Sequence, residues 1–116
     1  MTPQQLEERL LKLPHEIFVC NEEAIRAEEE YQKVKAEYED CLDCEYLKLK
    51  ASGEDRTVKE LESMARQVAR EKRLAAIIQE AKMKSLKNKA EKLKTAFAAC
   101  QSAIKLRVSE MQSIGG

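Results

Sequence analysis

An all-α fold, a long antiparallel two-helix hairpin of coiled-coil type, is predicted by three observations. They are a charge split between the halves, a single internal turn signal, and apolar residues at helical spacing. Residues 1–56 carry 15 Asp and Glu against 8 Lys and Arg, a net −7, whereas residues 57–116 carry 6 against 13, a net +7. The chain is 36% charged and 4% aromatic, with three Gly, two Pro and no Trp. That composition disfavours sheets and supports long helices. At 116 residues it fits one domain, 1–116. A two-helix layer buries little surface, so the core is expected to be a thin seam, with oligomerisation as the natural remedy.

The first element predicted is a short helix over about 3–12. Thr2 caps it, Pro3 occupies a first position that needs no amide hydrogen, and Gln5 reaches back. Leu6, Leu10 and Leu13 share one side. Pro14 disfavours the helical region for Leu13, which predicts a break or kink there. An acidic helix follows over about 15–51, marked by Ile17, Ala24, Tyr31, Val34, Tyr38, Cys41, Leu42, Glu45 and Leu49. Its stripe begins with seven-residue spacing and drifts by one residue near Leu42, as in a nearly straight helix.

The turn is assigned to 52–57, with Gly53 suited to positive φ at a helix end. Thr57-Val58-Lys59-Glu60 has the capping-box pattern. A basic helix is then predicted without interruption over about 58–112. Its apolar face reads Val58, Leu61, Ala65, Val68, Ala75, Ile78, Leu86, Ala90, Leu93, Phe97, Cys100, Ile104 and Val108. So short a connection makes the long helices antiparallel neighbours.

Folding about residues 54–55 sets Cys41 near Val68, Val34 near Ala75, Tyr31 near Ile78 and Ile17 near Leu93. Leu13 and Leu10 fall near Phe97 and Cys100, and Leu6 near Ile104. The same register faces Glu16, Glu22, Glu23, Glu28, Glu29 and Glu30 with Lys82, Lys84, Lys87, Lys89, Lys92 and Lys94. Each exposed pair is worth only about a few tenths of a kcal/mol. As a set they disfavour parallel or slipped pairings.

Few residues carry a chemical signal. Cys41-Leu42-Asp43-Cys44 has the spacing of zinc and redox pairs. The only histidine, His15, lies roughly 40 Å upstream on a continuous helix, and Cys20 and Cys100 are also remote. A mid-helix pair also lacks the helix N-terminus that activates a thiol. Cys41 therefore reads as a seam residue; a zinc bridge between two protomers stays open. His15 has no Ser, Cys or paired carboxylate in a motif beside it, so it reads as a surface residue. The Glu-rich run at 22–30 lacks the Asp/Asn alternation and Gly of a calcium loop. No catalytic residue, cofactor or metal ligand is assigned, and no enzymatic activity is expected. The terminal Ile114-Gly115-Gly116 reads as a frayed end.

Two surfaces remain. Lys82, Lys84, Lys87, Lys89, Lys92 and Lys94 form the candidate contact for nucleic acid or an acidic partner. No aromatic residue interleaves them to stack on bases, and the acidic helix opposes their field. Leu74, Ile77, Met83, Phe18, Val19, Ile25 and Leu47 project beyond a narrow seam and form the candidate dimer or partner surface. A homodimer packing two hairpins into a four-helix bundle is the favoured occupant; a groove for another protein's helix is the alternative. The N-terminus lacks an uninterrupted apolar signal and no stretch suffices to cross a membrane, so the four cysteines read as reduced cytoplasmic thiols.

Several local patterns together resemble a family of small, little-characterised helical-hairpin proteins of phages and prophages in Gram-positive bacteria. They are Leu13-Pro14-His15-Glu16-Ile17 near the start, Tyr31 in the acidic helix, and Thr57-Val58-Lys59-Glu60 opening the basic one. Lys89-Ala90-Glu91-Lys92-Leu93, Phe97 and Ser102-Ala103-Ile104 complete them. The similarity spans most of the chain, and the four cysteines fall outside it. It implies a phage-encoded cytoplasmic protein acting beside recombination or replication proteins, and transfers no functional residue. The favoured function is a non-enzymatic module that binds a host or phage protein. The alternative is an accessory nucleic-acid binder.

Overall fold

The computed structural model describes residues 2–53 and 55–115, with the side chains of Ile114 and Gly115 left aside. Among these residues the chain is all-helical: α1 spans Pro3–Ala51, α2 Val58–Val68 and α3 Arg70–Gly115. Glu54 at the pivot of the turn and the last glycine of the Ile114-Gly115-Gly116 tail lie outside the described residues.

Local chemistry explains where the helices start and stop. At the head of α1, the Gln5 amide donates to Thr2 Oγ1 (3.2 Å) and the Thr2 amide to Gln5 Oε1 (2.9 Å). This reciprocal cap satisfies two amides that a helix start leaves unpaired. Gly53, at φ 73°, is the one described residue with positive φ and stands two positions past the end of α1. Thr57, in extended conformation, accepts from the Glu60 amide at 3.2 Å and starts α2.

Two expectations are corrected. No break follows residue 12, because α1 runs through Pro14. A helical proline removes one backbone hydrogen bond and costs about 3 kcal/mol. Continuing the helix keeps Leu6, Leu10 and Leu13 in step, and Leu13 is fully buried. Each buried leucine contributes roughly 1.5–3 kcal/mol, so together they outweigh the proline. Arg9 also reaches across the proline turn to Glu16 at 3.2 Å.

The basic helix, in turn, is divided at Ala69, whose ψ of 8° departs from helical geometry. The hydrogen-bond ladder persists there, from the Ala69 amide to the Ala65 carbonyl and from the Arg73 amide to the Ala69 carbonyl. Buried positions advance by four residues at Leu61, Ala65 and Ala69, then by seven at Ala76, Met83 and Ala90. The backbone irregularity sits where the stripe changes period.

The contacts form two compact units, residues 1–25 with 85–116, and residues 26–84. In the first, Leu6, Leu13 and Cys100 form the buried core, with Leu10, Leu93, Ala96, Phe97, Ala103 and Ile104 packed against it. The buried Cys20 thiol points at the Leu86 carbonyl, 3.6 Å away. In the second, the buried residues are Ala27, Leu61, Ala65, Ala69, Ala76 and Met83. Tyr31, Tyr38 and Tyr46 are half-buried there, and the Tyr31 hydroxyl donates to Glu80 at 3.4 Å.

Along α1, positions 6, 10, 13, 17, 20, 24, 27, 31, 34, 38, 41 and 45 are buried or half-buried, flanked by half-buried 9, 16, 21, 28, 42, 46 and 49. The alternation of four and three in the first set is a heptad seam. In α3 the matching positions are 76, 79, 83, 86, 90, 93, 97, 100 and 104. The seam of the second helix is therefore rotated from the predicted one between residues 68 and 83. Val68 and Ile78 are exposed, whereas Ala69, Ala76 and Met83 are buried.

Candidate interaction surface

A heptad seam leaves the opposite side of each helix to solvent, and polar residues normally occupy it. Here apolar residues occupy part of it. In the first unit α1 exposes Leu11, Phe18 and Ile25 at strict seven-residue intervals, with Val19 beside them; Phe18 is 62% exposed. Such spacing stacks the three side chains on one face, roughly 10 Å apart. In the second unit α3 exposes Leu74, Ile77, Ile78 and Ala81, the i, i+3, i+4, i+7 set of one helix face. Leu47 of α1 is also exposed in that unit.

The proposed surface residues thus divide. Phe18, Ile25, Leu47, Leu74 and Ile77 stand in solvent, and Val19 is partly exposed, at 39%. Met83 does not belong with them: at 7% exposure it lies in the seam, continuing Ala69 and Ala76 at seven-residue steps. Leu11, Leu106 and Met111 are also exposed and were not singled out by sequence reasoning, which placed the exposed Ile78 and Val108 on the seam face. The i, i+7 relation of Leu11 to Phe18 is the signal that marks the first of them.

All six lysines of the basic run are exposed. At 100° per residue, positions 82, 84, 87, 89, 92 and 94 spread around the helix instead of lining one side. Lys84 binds Glu80 at 2.7 Å and Lys94 binds Glu91 at 3.3 Å, each on its own helix. The hydrogen bond from Lys84, and then its charge, hold the Glu80 carboxyl below its usual range, and Tyr31 adds to this. The same bond raises the Lys84 ammonium above its usual value.

The four cysteines are free: Cys20 and Cys100 buried, Cys41 half-buried and Cys44 exposed. Among the described residues no three His, Cys, Asp or Glu side chains converge as metal ligands would. His15 lines an open cavity of about 300 Å³ with Glu16, Val19, Cys20, Glu23, Lys89 and Leu93. In the second unit, Leu42, Asp43, Tyr46, Glu62, Ala65 and Arg66 line another of about 470 Å³, in which Arg66 pairs with Glu62 at 3.7 Å. Both are open to solvent. No helix among the described residues is long and apolar enough to cross a membrane.

The chain matches no family model, no curated protein and no solved structure.

Proposed function

We propose that this chain is a non-enzymatic protein-interaction module, an antiparallel helical hairpin whose outward apolar faces bind another polypeptide. The observation that carries this reading is the exposed set Phe18, Ile25, Leu74, Ile77 and Ile78, lying on helix faces that the seam does not use. Large apolar side chains grouped on one face mark association surfaces more often than singly scattered ones do. The hairpin part of the reading is supported by pairings inside each unit. Leu13 with the Leu93–Phe97–Cys100 group, Cys20 with Leu86, and Tyr31 with Glu80 all follow one falling register. Dimerisation, phage origin and a cytoplasmic site of action complete the proposal and rest on the sequence pattern.

Nucleic-acid binding is the less favoured reading, because the lysines of residues 82–94 are spread over all of the helix outside its seam and two of them are held by glutamates. The test is affinity capture from the native host with the wild-type chain, Ile77→Glu, and a triple Lys→Glu variant at 84, 87 and 89. Capture of one protein, lost with Ile77→Glu and kept with the triple variant, supports the module. Oligonucleotide binding that collapses with salt and vanishes in the triple variant would replace it with the nucleic-acid reading.

A further inference from the structure

We propose that the exposed α1 patch of the first unit docks on the exposed α3 patch of the second unit of another copy of this chain. The inference rests on the interaction-module reading and names its first occupant.

Charge around the two patches selects that occupant. The patch residues Leu11, Phe18 and Val19 have Glu7, Glu8, Glu16, Glu22 and Glu23 as helix neighbours three or four positions away, and neither Lys nor Arg at those offsets. Ile25 adds Glu22 and Asn21 on its N-terminal side. Arg9 holds Glu16 at 3.2 Å, and Lys12 and Arg26 lie beside the stripe, so the rim keeps Glu7, Glu8, Glu22 and Glu23 against two cations and stays acidic. Two such patches brought together would set carboxylate against carboxylate. At the same offsets, Leu74, Ile77, Ile78 and Ala81 have Arg70, Arg73, Lys82 and Lys84 against Glu71 and Glu80. Glu80 and Lys84 pair at 2.7 Å, which removes one charge of each sign and leaves Arg70, Arg73 and Lys82 against Glu71.

An apolar stripe with an acidic rim and an apolar stripe with a basic rim are complementary in both terms. A single sequence carries both. Each lies on the face turned away from the seam of its own unit, so seam packing leaves both open. In the proposed dimer the contact is exchanged, the α1 patch of each copy meeting the α3 patch of the other, as a two-fold axis requires.

The full-length chain is the material for the test. Light scattering on the wild type is expected to give twice the 13.3 kDa of one chain. Phe18→Lys and Ile77→Glu each place the wrong charge in a patch, and each is expected to halve that mass while the helical circular dichroism stays unchanged. The photoreactive residue p-benzoylphenylalanine at position 18, in a mixture of isotopically light and heavy chains, is expected to capture residues 70–84 of the other copy. A monomeric wild type overturns the proposal, as do cross-links from position 18 to residues 7–25 of the other copy. A monomer that still loses its captured host protein on Ile77→Glu overturns the dimer and leaves the interaction-module reading standing.

Discussion

The two units use one heptad grammar with different vocabularies. Residues 1–25 and 85–116 pack Leu6, Leu10, Leu13, Leu93, Phe97 and Ile104 into their seam, with the small buried side chains Cys20, Ala24, Ala90 and Cys100 between them. Residues 26–84 fill theirs mainly with Ala27, Ala65, Ala69 and Ala76, beside only two larger buried side chains, Leu61 and Met83, with tyrosines half-buried in the same unit. Apolar burial contributes about 25 cal/mol per Å², and an alanine has little to bury. The first seam therefore supplies hydrophobic stability. The second allows close backbone approach and places polar tips such as the Tyr31 hydroxyl within reach of Glu80. Local stability should follow, with the leucine-lined unit protecting its amides longer than the alanine-lined one.

The contrast is broken most strongly at its best-buried point. Leu13→Ala is expected to lower unfolding stability by roughly 2–5 kcal/mol in urea titration, by lost transfer energy plus a cavity. In the other seam the damage comes from adding volume. Ala76→Leu is expected to cost about 1–3 kcal/mol, while Ala76→Gly lacks the overpacking and costs about 1 kcal/mol through helix propensity. Pro14→Ala sharpens the comparison in the opposite direction, because it restores the amide donor toward the Leu10 carbonyl. It is expected to raise the thermal midpoint, with a gain below the roughly 3 kcal/mol ceiling for a helical proline.

How much of this could be read in advance depends on side-chain size. The leucines at 6, 10 and 13, the Thr2 and Thr57 caps and the Gly53 turn were legible, since each has a strong local signature. Cys20 and Ala27 were not read as seam members, because small residues give little hydrophobic signal even at seven-residue spacing. Between residues 74 and 83, α3 is apolar on two sides. The predicted stripe steps from Val68 to Ala75 and Ile78, whereas the buried residues are Ala69 and Ala76, one position along from Val68 and Ala75. The same rotation misplaced Met83. The continuation through Pro14 was illegible because the deciding term is the packing of Leu6, Leu10 and Leu13 on a distant segment, which local proline chemistry does not contain.

The smallest expected effect belongs to the Glu80–Lys84 pair. Glu80 is lowered on folding, so its contribution is present above the ordinary glutamate range and lost as pH falls through the lowered value. Lys84 is raised, so its contribution is present below the ordinary lysine value and lost as pH rises through the raised one. The thermal midpoint of the wild type minus that of Glu80→Gln is therefore expected to form a shallow plateau between these limits. Salt should flatten it, since the pair is exposed.

The whole account depends on α1 meeting α3 of its own chain in the leucine-lined unit. Isotope-filtered nuclear Overhauser spectra of a mixture of labelled and unlabelled chains decide this directly. Contacts between the Leu13 methyls and the Phe97 ring are predicted to arise within single chains. Their appearance only between labelled and unlabelled chains would mean an exchanged helix, and would contradict the account.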